Sequence, residues 1–142
     1  MICYLIRGLP NSGKSTLAQT LSPNCNFSAD QWFENLARIR NCQYSDVFSM
    51  EQIGTAHAWC KNQFRAAIDY QEPVIAVHNT FVTRSVVNWY RKTAKKAGYQ
   101  VTVLVIERTH DQENDHYVSS TVLQNMISQW QPCDNRRYTS GK

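Results

Sequence analysis

Eight consecutive residues, Gly8-Leu9-Pro10-Asn11-Ser12-Gly13-Lys14-Ser15, fit the spacing G-x-x-x-x-G-K-[ST], with Thr16 next. The chemistry this spacing serves is phosphate binding. Gly8 and Gly13 allow backbone angles that a Cβ would forbid. The loop can then turn successive N–H groups toward one phosphate, with the positive end of a helix behind them. Lys14 would place a cation on the β/γ-phosphates, and Ser15 a hydroxyl on Mg²⁺. A nucleoside triphosphate, ATP, is the expected ligand, with Mg²⁺ as cofactor.

Further residues that could act on a phosphate lie downstream. Asp30 can accept or position the proton of an attacking hydroxyl, as catalyst and as second metal ligand with Ser15; it can also serve as a helix N-cap. Trp32 and Phe33 follow it, and one is expected in the core with the other near the substrate, where it could stack on a base. His78 stands before Asn79 and Thr80. Imidazole is a poor ligand for Mg²⁺, so His78 is expected to be a satisfied buried histidine, with Asn79 or Thr80 supplying the polar contacts. Arg84 opens a helix, where a cation works against the dipole, and it can reach a substrate phosphate. Residues 107–118 fall where a lid would close, and Arg108 and His116 are its candidate cations.

The elements that must position these residues alternate in type. Residues 2–7 read as a buried strand and 14–21 as a helix; 26–29 read as a short strand and the residues through Ile39 as a helix. Residues 41–49 read as a loop. From Met50 to about Tyr70 the apolar spacing is helical, and Val74-Ile75-Ala76-Val77 is a continuous apolar run suited to a strand buried on both faces. A helix capped by Thr83 runs to Ala97 and stops at Gly98; residues 101–106 form the last strand, and a final helix carries Val122 to Trp130. This predicts an α/β, three-layer fold with a parallel sheet, helices on both faces and a small lid, and an active site at the carboxyl ends of the strands.

At 142 residues there is room for one such domain, taken as residues 1–132, with 133–142 as a basic tail containing Arg136 and Arg137. No segment is apolar enough to cross a bilayer, and no signal peptide and a cytoplasmic location are expected. The five cysteines form no Cys-x-x-Cys pair and read as reduced thiols, not a disulfide framework or zinc site. A net charge of +4 is compatible with a polyanionic partner. Arg91, Lys92, Lys95 and Lys96 form one basic stripe and Lys61 and Arg65 a second pair, either solvated faces or, beside the cleft, a phosphate track.

Several pieces in order resemble the kinase domain of phage polynucleotide kinases and related short P-loop kinase-like ATPases. They are Arg7-Gly8-Leu9-Pro10-x-Ser12-Gly13-Lys14-Ser15-Thr16, Ser28-Ala29-Asp30, Ala56-His57-x-Trp59-Cys60, Asn79-Thr80 and Asn114-x-His116-x-Val118. The resemblance implies transfer of the γ-phosphate of ATP to a hydroxyl on a nucleic acid, with DNA preferred over RNA. The acceptor would be a 5′-hydroxyl end or the hydroxymethyl group of a modified pyrimidine such as 5-hydroxymethyluracil. It also implies that Asp30 activates the acceptor. Two departures stand out: His78 replaces a frequent aspartate, and the lid arginine is replaced by Asp111-Gln112-Glu113, leaving Arg108 to substitute. A small-molecule kinase and an ATP-binding regulatory module are the alternatives. No membrane partner is expected, and a monomer is favoured.

Overall fold

The computed structural model describes residues 1–107 and 120–131. Arg108, His116 and all of the expected lid except Glu107, together with the tail 133–142, lie outside the described residues.

Apolar, β-branched runs form the strands. β1 (Ile2–Gly8) is the central strand, flanked in parallel by β3 (Val74–Asn79) and β4 (Gln100–Ile106), while β2 (Asn26–Phe27) pairs with β3, giving the order β2-β3-β1-β4. Side chains alternate across the sheet. Cys3 and Leu5 join Ile75 and Val77 in one core layer, and Ile6 joins Ala76 in the other. The first layer is completed by α4 (Ile53–Asp69) through Cys60, Phe64 and Ala67, and by α5 (Arg84–Lys96) through Val87, Tyr90 and Ala94. α1 (Lys14–Leu21) covers the opposite face through Ala18. The fold is therefore the expected three-layer arrangement, with helices on both faces of a parallel sheet.

α2 (Asp30–Arg40) packs Phe33 and Ala37 against Ala56, near the start of α4. Ile39, where the expected helix was read to end, is 78% exposed. The expected loop at 41–49 contains a short helix, α3 (Tyr44–Val47), closed by a capping box between Gln43 and Asp46. A 3₁₀ turn, Met50–Gln52, leads into α4, and Gly98, at φ 91°, ends the chain's passage out of α5. The last described helix is α6 (Ser120–Gln129). Among the described residues, no helix is long and apolar enough to cross a membrane. Cys3, Cys25 and Cys60 are buried and free, and Cys42 is free and exposed. Burial, then the neighbouring Cys25, pushes the Cys3 thiol up to about 12, and burial, then Glu72, pushes Cys25 up to about 11.

Candidate active site

The loop between β1 and α1 is built as its glycines require. A Cβ on Gly8 would overlap Ser12 Oγ and lie 3.2 Å from both the Ile106 carbonyl oxygen and Lys14 Cγ. Gly13 sits at φ 93°, in the left-handed region, and Asn11 at φ 63°. Leu17 N–H then donates to Gly13 O at 3.1 Å and starts the helix. Ser12 Oγ is buried with no hydrogen-bond partner among the described residues. A buried orphan hydroxyl in a concave backbone loop is an unfilled polar position. Lys14 Nζ donates to Leu9 O at 2.9 Å, across the loop. Burial pushes its ammonium down to about 8, with the Asp30 carboxylate pulling the other way. A cradle that a Cβ would fill, an orphan hydroxyl and a desolvated cation together fit a triphosphate. Pro10 is buried, Leu9 half-buried, and Ser15 and Thr16 are exposed on the first turn of α1.

Asp30 is the first residue of α2 and not its cap. The β2 ladder ends at Phe27, so the chain has already turned by Ser28. Ser28 takes the capping contact instead, its Oγ accepting from Gln31 N–H at 3.3 Å. This leaves the Asp30 carboxylate for other partners, and Tyr44 Oη donates to Asp30 Oδ1 at 2.7 Å. Burial, then the Asp30 carboxylate and the bond to it, push the Tyr44 hydroxyl far above its ordinary value, so it remains a donor. Asn79, at the end of β3, ties this turn to the sheet: its Oδ1 accepts from Ala29 N–H at 2.8 Å, and its Nδ2 lies 3.6 Å from Cys60 Sγ. Asn79 is 6% exposed, which makes it a clamp on the strand–helix junction before Asp30. Thr80 follows it, half-buried.

His78 is the satisfied buried histidine expected, with Nε2 3.3 Å from Asn26 Oδ1, which also accepts from Gln31 Nε2 at 3.1 Å. Burial first, then the Lys14 ammonium, push its imidazole down to about 4, against the pull of Glu34 and Asp30. It is neutral at physiological pH. No group of three or more His, Cys, Asp or Glu side chains suited to a metal occurs among the described residues. Ser15 and Asp30 carry oxygen donors of the kind Mg²⁺ takes, a cation that usually binds one or two protein oxygens and completes its shell with phosphates and water.

The aromatic pair divides as expected. Phe33 is 2% exposed, set edge-on to Trp32 and close to Tyr44 and Phe48, with centroids 5.0, 5.8 and 5.1 Å away. That corrects its place among the substrate contacts, since an enclosed ring has no face to offer a base. Trp32 remains half-buried. Arg84 is exposed at the start of α5, and its backbone N–H donates to Gln131 Oε1 at 2.9 Å. Two residues outside the expected site belong to its framework. Tyr44 was hidden in a polar stretch with no helical periodicity. Arg7, fully buried in β1, donates to Phe81 O from Nε at 3.0 Å and to Phe81 O and Gln131 O from Nη2 at 2.6 Å, and stacks 4.3 Å over the Trp130 ring.

Over residues 4–132 the chain matches the protein family described as AAA domain. It is also similar to NEDD4-binding protein 2 of Homo sapiens, at 31% identity over 105 residues. That alignment covers 71% of this chain and 6% of the human protein, so the chain spans a small part of that relative's length.

Proposed function

The chain belongs to this AAA-domain family, a P-loop kinase-like family, and from that premise we propose that it is an ATP- and Mg²⁺-dependent phosphotransferase acting on a hydroxyl of a nucleic acid. The acceptor is a 5′-hydroxyl end or the hydroxymethyl group of a modified pyrimidine, in DNA before RNA. The observation that carries the reading is the Asp30 carboxylate, held by Tyr44 at 2.7 Å and near enough to the phosphate loop to favour the charged form of Lys14.

Each side chain then has a task. The Gly8–Ser15 loop binds the triphosphate, with Ser12 Oγ gaining the partner it lacks. Lys14 exchanges the Leu9 carbonyl for a phosphate oxygen. Asp30 orients the acceptor hydroxyl and takes its proton as the new Pγ–O bond forms and the bond to the β-phosphate oxygen breaks, releasing ADP. Trp32, half-buried beside Asp30, offers a surface for a base; Asn79 and Thr80 hold the strand end, and Arg84 is an exposed cation for a substrate phosphate. Ser15 and Asp30 would hold Mg²⁺, which would supply charge neutralisation for the phosphates. Catalysis on this account is positioning and charge balance.

Transfer from γ-labelled ATP to a panel of acceptors tests it: 5′-hydroxyl DNA and RNA oligonucleotides, 5′-blocked DNA containing 5-hydroxymethyluracil, and free nucleosides. Label on either class of oligonucleotide, lost in Asp30→Asn while ATP still binds, is the expected result. Label on nucleosides alone would make this a small-molecule kinase. ATP binding with no labelled acceptor would make it a regulatory module.

A further inference from the structure

Positive charge in this chain is concentrated on one layer. α5 carries five Lys or Arg and no carboxylate, and α4 carries Lys61 and Arg65 against Asp69 in its last position. The two helices together hold +6, while the whole chain is +4, which leaves −2 for everything else. Alternating charge along a helix face marks a solvated, salt-bridged helix, and these two faces do not alternate. Here Lys61 and Arg65, Arg91 and Lys95, and Lys92 and Lys96 are like-charge i,i+4 pairs, each unfavourable to its own helix. Their cost to the fold is met by no carboxylate partner among the described residues; two of the cations rest on an aromatic ring instead. Lys61 Nζ lies 4.7 Å and Arg65 Cζ 4.8 Å from the centroid of the Trp89 ring.

This arrangement is also directional. His57, Lys61 and Arg65 follow one another at i, i+4 and i+8 along α4, and Trp89, Lys92 and Lys96 share a face of α5 at i, i+3 and i+7. The first turns of α4 pack on α2 and α3, the helices that carry Asp30 and Tyr44, whereas its later turns pack on the sheet beside α5. The stripe therefore starts next to the candidate catalytic carboxylate and runs away from it. His57 is surface-exposed, and besides partial desolvation of its ring the charges acting on it include Asp30 and Lys61, its neighbours on either side along the path.

We propose that the α4–α5 face is a track for the backbone of a single-stranded nucleic acid, with Lys61, Arg65, Lys92 and Lys96 on its phosphates and Trp89 as a stacking platform. The track deepens the reading above and rests on it for the class of acceptor. Lys61 and Arg65 leave the indole for phosphates, and a base takes their place on the ring, so one π contact is exchanged for another. A strand held this way delivers its end toward Asp30 past His57.

The test separates binding from catalysis. Anisotropy of a labelled, 5′-phosphorylated oligothymidylate, which offers no 5′-hydroxyl, is measured against salt on the full chain. Lys61→Gln with Arg65→Gln is expected to weaken binding about tenfold at moderate salt and to reduce the slope of log affinity against log salt by about 1.4, two phosphates' worth. Trp89→Leu is expected to weaken binding with the slope unchanged. Lys92→Gln with Lys96→Gln, both exposed, repeats the test if the first pair fails to fold. An unchanged slope in either pair overturns the track, as does tighter binding of a duplex of equal length or of heparin. Track mutants that lose binding in a protein that phosphorylates only nucleosides would uphold the track and sink the acceptor reading; normal labelling of oligonucleotides with an unchanged slope would do the reverse.

Discussion

Lys14 feels the charge of the Asp30 carboxylate, and each side chain gives a measurable consequence. Because burial holds the free Lys14 near 8, and a bound triphosphate stabilises its charged form, binding takes up a proton above that pH. ATP affinity is expected to be flat below about pH 8 and to fall by up to about tenfold per pH unit above it. Lys14→Arg, whose guanidinium does not titrate in this range, should remove that limb in a binding titration. At Asp30 the informative change is its partner. Tyr44→Phe keeps the ring in its aromatic cluster and deletes only the 2.7 Å bond. It is expected to lower kcat about tenfold with ATP affinity unchanged, the loss of roughly one oriented hydrogen bond in steady-state kinetics. Gly8→Ala acts on ligand and fold together. The new methyl meets Ser12 Oγ, which can rotate, and the Ile106 carbonyl, which cannot. ATP binding should weaken at least about tenfold, and the melting temperature should drop by several degrees, since overpacking costs about 1–3 kcal/mol.

Arg7 sets the next scale, because one buried guanidinium joins three elements. It sits in β1 opposite Asn79 of β3 and fixes the turn at Phe81, itself at φ 51°, to the segment leaving α6 at Trp130 and Gln131. Gln131 returns the contact, its N–H donating to Val82 O at 2.8 Å and its Oε1 accepting from Arg84 N–H. Arg7→Met should cost about 2–4 kcal/mol by leaving the Phe81 and Gln131 carbonyls without their donor, and Arg7→Lys should not restore it, since the fork is lost. Thermal melts and proteolysis at the α6 end would show both effects. The helices and strands around this junction were legible because their apolar residues repeat at the periods of core packing, as in Cys60–Phe64–Ala67 and Ile75–Ala76–Val77. The P-loop was legible because its glycines are demanded by backbone geometry. Arg7 was not, since a cation inside a strand gives no sign of which carbonyls it will meet 74 and 124 residues away. Tyr44 was missed because α3 is too short for periodicity, and the Gln43–Asp46 box was its only local signal. Asp30 as helix cap was a local inference that Ser28, two residues earlier, displaced.

For the molecule as a whole, His78 gives the fold its acid limb. With its imidazole held near 4 in the folded chain against an ordinary 6.5, the unfolded chain binds the extra proton between those values. Stability is therefore complete above about pH 6.5 and is lost progressively toward pH 4. His78→Gln, which keeps a polar partner for Asn26, should flatten that stretch of a denaturant-midpoint profile. The sheet order carries a further consequence, one of timing during synthesis. β1 precedes the other strands in the chain and is central, yet its partners begin at Val74 and Gln100. At the usual elongation rates of about 5–20 residues per second, it waits roughly 5–20 s after leaving the ribosome before both neighbours exist. Through that interval Ile2-Cys3-Tyr4-Leu5-Ile6 is an apolar segment with both hydrogen-bonding edges open, and the phosphate loop at its end has nothing to stand on. The residues that carry the phosphate chemistry are thus translated well before the strands that must support them.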